Sequence, residues 1–280
     1  MMASMAAFAM EDAFIKRVSE FMPTGQILMI FGLGGASVFL VIALIKGDHL
    51  FNSAVLSSTM IVRAICELIG RLFYVLAITL APLSSATAIL QATPIVVVAG
   101  AAILFGEKVG IRRWFAIFCG LFGVLIVLQP GTDGFTFFSF LAVLGMLGFA
   151  GRDLATRACS MSIRTSVLGF YGFATVVVAG MGYSFWDESR MVSINDNNLV
   201  MLAGAVAAGV VAYMSLMMAM RTGEVSAVTP FRYSRLLFGL TIGVFIFEET
   251  VNANMLIGCS LVVISGVYVL HQGGRITIGK

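Results

Sequence analysis

The stretch "TPFRYSRLLFGLTIGVFIFEE", residues 229–249, sets the first constraint. From Leu236 to Phe247 it is apolar apart from Thr241, as a helix in hydrocarbon would be. Arg232 and Arg235 nonetheless stand at its front, and Glu248 and Glu249 close it. A charge at bilayer depth costs at least about 2.5–3.5 kcal/mol on insertion scales, so neither arginine belongs against lipid. The segment therefore predicts a bundle of membrane helices whose ionic groups turn inward, toward each other or toward a polar cavity.

Composition carries that reading to the whole chain. Of 280 residues, 60% are hydrophobic and 11% charged, and mean hydropathy is +1.03. Soluble domains run at about 45–50% apolar and about 25% charged, so this chain lacks the polar material for an aqueous surface. Thirty glycines suit close helix contacts in a bilayer. A net charge of +3, with no basic cluster interleaved with aromatics, excludes nucleic acid as an expected partner. Cys66, Cys119, Cys159 and Cys259 are scattered singly and read as small packing residues. His49 and His271 are isolated, and there is no glycine-rich phosphate loop; no metal and no cofactor are expected. The N-terminal "MMASMAAFAM" has no basic segment before it and is followed by Glu11 and Asp12. It reads as the start of a first spanning helix rather than a cleaved signal.

A spanning helix needs about 20 mostly apolar residues. Ten segments are predicted, at 2–18, 26–45, 56–78, 83–105, 112–129, 136–156, 164–185, 197–220, 226–247 and 252–271. The expected fold class is an all-α integral membrane protein. With the N-terminus inside, the inner loops and tail hold Lys46, Lys108, Arg112, Arg113, Arg157, Arg164, Arg221, Arg275 and Lys280. The outer loops hold only Lys16, Arg17 and Arg190, and this bias predicts both termini in the cytoplasm. The chain also matches itself. "FAMEDAFIK" at 8–16 falls on "FAGRDLATR" at 149–157, pairing Phe8 with Phe149, Asp12 with Asp153 and Lys16 with Arg157. A second match pairs Thr87 with Thr229, Phe105 with Phe247 and Glu107 with Glu249. Two repeats of five helices are predicted, at 1–134 and 135–280. An odd helix count inverts the second relative to the first, an arrangement that suits transporters with a site between the repeats. Glu107 and Glu249 are expected to end helices and organise the short loops.

The third segment, "TMIVRAICELIGRLFYVLAI", sets Arg63, Glu67 and Arg71 at i, i+4, i+8, on one helix face. Glu67 can pair with either arginine there. Arg232 and Arg235 have no carboxylate on their own helix and can borrow Glu67, Glu11, Asp12 or Asp153, or leave a guanidinium for an anionic group on a solute. Arginine suits that task because its planar fork keeps its charge when buried. Tyr74 and Tyr233 can add an aromatic wall. Glu11, Asp12, Arg152 and Asp153 mark equivalent places in the first and sixth segments, and Arg152 can neutralise Asp153 or Glu11. A buried carboxylate such as Glu11 or Glu67 can also exchange a proton during transport. A ladder of pairs that only fixes helix packing is the competing reading. Pro94 is expected to kink its helix, with Gln91 three residues before it.

These marks resemble a known family. "ATAILQATPIVVVAGAAILFGEKVGIRRWFAIFCGLFGVLIVLQPG" at 86–131 and "GEVSAVTPFRYSRLLFGLTIGVFIFEE" at 223–249 look like the two halves of EamA-type drug/metabolite transporters. The resemblance implies ten helices in two inverted repeats, both ends cytoplasmic in a bacterial inner membrane, and a central cavity. It favours Glu67, Arg71, Gln91, Tyr213 and Arg232 as cavity residues. Tyr74 and Arg235 join them by position. Arg63, Glu11, Asp12, Arg152 and Asp153 are expected as ion-pair or proton-coupling groups. The implied function is secondary transport of a small polar or anionic metabolite, with export first and uptake of riboflavin or a related compound second. The charged third helix departs from the apolar cavities of many amino-acid exporters.

Overall fold

Apolar runs in a chain without water must satisfy their own backbone hydrogen bonds, and this one does so with helices. The computed structural model describes residues 1–51, 53–80, 89–128, 137–160, 163–187, 190–222, 225–247 and 253–276, and no strand occurs among them. The helices are α1 Met2–Val18, α2 Thr24–Ile45, α3 Ser58–Leu80, α4 Thr93–Phe105 and α5 Ile111–Leu128. They continue as α6 Phe137–Ala158, α7 Thr165–Asp187, α8 Asp196–Arg221, α9 Ser234–Phe247 and α10 Ala253–Ile276. By length and composition, α2, α7 and α8 are long and apolar enough to cross a membrane.

Helix α3 is as long but carries three charges, and its orientation explains how. Arg63, Glu67 and Arg71 are 1%, 0% and 3% exposed, whereas Ile61, Val62 and Ile65 are each more than half exposed. The polar face is inside and the apolar face outside, the reverse of a helix on a soluble protein.

The most extensive contacts are α2 with α7, α3 with α6, α5 with α10, and α1 with α8. Next come α1 with α9, α3 with α7, α2 with α8, and α4 with α6. Replacing each helix by the one five places on, or five back, maps this set onto itself. The pairs close at glycines. A Cβ on Gly180 of α7 would lie 2.8 Å from the Gly25 carbonyl of α2, and one on Gly145 of α6 would lie 2.9 Å from the Tyr74 nitrogen of α3. Without a hydrophobic drive between helices in lipid, such backbone approach supplies the packing energy.

Two expectations need correction. The segment at 83–105 is not one helix with Pro94 in its middle. Residues 81–88 lie outside the described ones, Gln91 and Ala92 form a turn, and Pro94 sits in the first turn of α4. Its missing N–H is harmless there, because first-turn amides have no partner within the helix. The segment at 226–247 is not continuous either. A single α-turn, Val225–Val228, leads into a 3₁₀ stretch, Thr229–Tyr233, before α9 begins at Ser234. Pro230 lies in the first turn of that stretch. The expected seam at 134/135, Thr87 and Glu249 fall outside the described residues. Glu107 follows the left-handed Gly106 that ends α4, and its carboxylate accepts from the Val225 backbone N–H at 3.1 Å, tying two loops together.

Candidate functional site

Nine charged residues are buried among the described residues: Arg63, Arg71, Arg152, Arg232 and Arg235 against Glu11, Asp12, Glu67 and Asp153. They meet where α1, α3, α6 and α9 converge, and their pairings run between helices. The expected pairing of Glu67 with Arg63 or Arg71 on its own helix is not what the structure shows. Glu67 Oε1 accepts from Arg152 Nη1 of α6 at 3.4 Å, and its Oε2 accepts from the Tyr213 hydroxyl of α8. Arg63 instead donates to Tyr213 at 2.6 Å and to Thr156 Oγ1 at 3.0 Å. Arg71 reaches Glu11 of α1. Neighbouring helices offer these groups partners of better direction than the next turn of α3, where side chains run roughly parallel.

The two arginines of the opening stretch diverge. Arg232, on the 3₁₀ turn, pairs with Asp153, which also binds Arg152 at 2.8 Å. Arg235, one turn on in α9, pairs with Asp12 through Nη2 and through Nε at 3.1 Å. Tyr74 donates to the same Asp12 oxygen at 3.4 Å. Asp12 and Asp153, which the repeat places at equivalent positions, thus each hold one arginine of "FRYSR".

The equivalence extends along both segments. The Arg235 guanidinium lies 5.0 Å from the Phe8 ring centre, and Arg152 lies 4.8 Å from that of Phe149. Such stacking stabilises a desolvated cation by up to about 2 kcal/mol. Lys16 donates to the Ile78 carbonyl near the end of α3 at 2.8 Å, and Arg157 donates to the Arg221 carbonyl at the end of α8 at 3.3 Å. Both cations complement the negative end of a helix dipole.

A cavity opens beside this network, lined in part by Arg71, Arg152, Arg232, Arg235, Tyr74 and Gln91. No carboxylate is among its lining residues. The acids stand behind the arginines and hold them in place. The volume is about 20 Å³, close to the room one water needs, so a solute enters only if the helices move apart. Arg71 Nε and Gln91 Nε2 are buried without a hydrogen-bond partner. Buried donors in that condition cost about 1–3 kcal/mol each.

Of the seven residues expected at a cavity, Arg71, Tyr74, Gln91, Arg232 and Arg235 line this one. Glu67 and Tyr213 lie behind it with Arg63. Tyr233 is turned elsewhere, donating to the Ile117 carbonyl at 2.9 Å. The sequence reading missed Thr156, which accepts from Arg63 and donates to the Arg152 carbonyl at 2.8 Å. It also missed the stacking role of Phe149. Both lie one turn from Arg152, on its face of α6, which was the signal available.

The chain is similar to known transporters. A riboflavin transporter of Rhizobium johnstonii is 24% identical over 76% of this chain and 70% of its own. An S-adenosylmethionine uptake transporter of Rickettsia prowazekii is 20% identical over 76% and 71%. The pseudopaline exporter CntI of Pseudomonas aeruginosa is 22% identical over 92% and 90%. A solved crystal structure superposes with a TM-score of 0.78 at 18% identity, covering 98% of this chain and 97% of its own, and so shares the fold. These names point to membrane transporters of metabolites rather than to enzymes. Residues 1–129 of this chain match the EamA-like transporter family.

Proposed function

We propose that this protein is a secondary transporter that carries a small polar or anionic metabolite across a bacterial inner membrane by alternating access. In this reading ten helices span the membrane in two inverted five-helix repeats, 1–134 and 135–280, with both termini cytoplasmic. The observation that carries it is the arginine-lined cavity between α3, α4, α6 and the start of α9, drawn from both halves. Four arginines, from α3, α6, the 3₁₀ turn and α9, line this one space while carboxylates hold each of them. The exchange symmetry of the helix contacts and the matched surroundings of Asp12 and Asp153 support the two repeats. Alternating access then follows from moving one half against the other, which the closed cavity requires before any solute enters.

Export is the first reading, shared with the exporter that aligns over most of the chain. Uptake of a riboflavin-like compound is the second, favoured by Phe8, Tyr74 and Phe149, whose rings line the same cavity and suit a planar solute. Counterflow in liposomes, with amino acids, riboflavin and charged metabolites, with and without a pH gradient, tests both. Saturable exchange of at least one solute is expected. A correctly inserted protein that moves none of them overturns the proposal. For the topology, single cysteines at Lys108 and Thr250 in a background without native cysteines are expected to label from opposite sides.

A further inference from the structure

Every arginine in the cavity lining already has a carboxylate. Arg71 holds Glu11, Arg152 holds Glu67 and Asp153, Arg232 holds Asp153, and Arg235 holds Asp12. Arg63, which bonds Tyr213 and Thr156 instead, lies outside the lining. The charge around the cavity is therefore compensated in place. An entering anion meets cations whose acids stand directly behind them, and an entering cation finds no acid in the lining. Either ion gives up its hydration without gaining an unpaired partner, a far larger loss than a neutral polar group suffers.

What the lining lacks is acceptors. Arg71 Nε and Gln91 Nε2 are buried without one. Glu11 binds Arg71 through Nη1, and in the planar fork the Nε–H points along the edge away from Nη1. Glu11 Oε2 has no donor either, so the pair does not close on itself through Nε. Gln91 sits in the turn before α4. The Ala92 N–H closes that turn on the Ile89 carbonyl at 3.0 Å, and the Thr93 hydroxyl donates to the Leu90 carbonyl. Backbone and Thr93 thus fix the place of Gln91, and its side-chain amide takes no part in that. Met5, Phe8, Leu90 and Pro94 give the same space apolar walls.

We propose that the cavity takes a neutral solute with an apolar body, whose carbonyl oxygens accept from the Arg71 Nε–H and the Gln91 side-chain amide. This rests on reading the cavity as the transport site, and it narrows a polar or anionic cargo to uncharged molecules. A ring lactam or imide has the required chemistry. A carboxylate on the same ring supplies acceptors but brings a charge for which no unpaired cation waits in the lining. The ring without a carbonyl leaves both donors buried and unsatisfied. Such a solute is larger than the present space of about 20 Å³, so its binding accompanies widening of the cavity.

The test uses the purified full chain in detergent and a panel of ring lactams and imides. Each is matched by the same ring bearing a carboxylate and by the ring without a carbonyl. At least one neutral carbonyl compound is expected to raise the thermal midpoint at concentrations about tenfold or more below both of its matches. If none outperforms both, the proposal is overturned. Gln91→Leu removes one donor and touches no charge. It is expected to weaken the carbonyl compound about tenfold and to leave the carbonyl-free ring within about twofold. Arg71→Lys keeps a cation beside Glu11 and removes the Nε–H; it carries the same expectation and decides the matter if the first variant does not fold. Weakening of both compounds alike, or of neither, overturns the proposal. Counterflow with the best carbonyl compound separates the two claims. Stabilisation without flux keeps the acceptor site and sinks the transport reading. Flux of carboxylates or amines without stabilisation by any neutral carbonyl compound sinks the acceptor site and keeps the transport reading.

Discussion

Helix pairs α2–α7 and α3–α6 pack in the same manner and do different things. Both bring backbones together at glycines, and both lie at the centre of the helix contacts. Between α2 and α7 the close approach is filled by rings. Phe173 lies 5.2 Å from Phe31 and 5.7 Å from Phe39, centre to centre. Between α3 and α6 it is flanked by Arg63, Glu67, Arg71, Arg152 and Asp153. Small residues fix how near two helices come, and they leave open what stands beside the contact. Charges are tolerated along α3 and α6 because α1, α8 and α9 pack over them and supply partners. The outer faces of α2, at Val38, Val41 and Leu44, are exposed and apolar, as a lipid-facing surface requires.

Substitutions can break this comparison at graded depth. Gly148 of α6 faces the backbone of Gly70, and a Cβ there would lie 2.9 Å from the Cys66 carbonyl, so neither neighbour can turn aside. Gly148→Leu is expected to separate α3 from α6 and leave no monodisperse protein on size-exclusion chromatography. Removing Asp153 is the next largest change, since Arg232 loses its carboxylate and Arg152 keeps only the longer contact with Glu67 at 3.4 Å. Breaking a buried pair costs about 3–5 kcal/mol, and Asp153→Ala should fall in that range by chemical unfolding in micelles. Arg232→Ala leaves Asp153 bound to Arg152, so it should cost less stability than Asp153→Ala while lowering flux in liposomes. Equal stability losses would mean that Asp153 is not the bridge.

Gly180→Ala tests the aromatic pair. Its Cβ would meet the Gly25 carbonyl at 2.8 Å and the Met29 nitrogen at 2.8 Å, so a loss of about 1–3 kcal/mol is expected from overpacking. The smallest effect belongs to Tyr213→Phe. It removes the hydroxyl shared by Glu67 and Arg63 and keeps the ring, at a cost of about 1–3 kcal/mol with the lower end favoured by the remaining Arg152 contact. Thermal melts of the two variants, each beside its counterflow rate, sharpen the contrast. Gly180→Ala should reduce stability with flux per folded molecule retained, and Tyr213→Phe should reduce flux as well.

Much of the architecture was legible because hydrocarbon imposes a severe rule. Apolar runs of the right length gave helices within a few residues of the observed ends, and the three-charge face of α3 had to turn inward. The match between 8–16 and 149–157 led to Asp12 and Asp153 in equivalent settings, down to the cations at Lys16 and Arg157. The break at Thr229–Tyr233 and the late start of α4 were not foreseen, because a proline's effect depends on whether its turn opens a helix or lies within one.

Residue types and their spacing determined that charges are buried and which helices carry them. They did not determine who pairs with whom. Glu67 sits one turn from two arginines and binds neither of them, and Arg235 finds Asp12 more than two hundred residues away. Helical spacing sets which way a side chain points; only the packing of one helix against another decides what it meets there. In a medium without water to compete, that neighbour takes the charge.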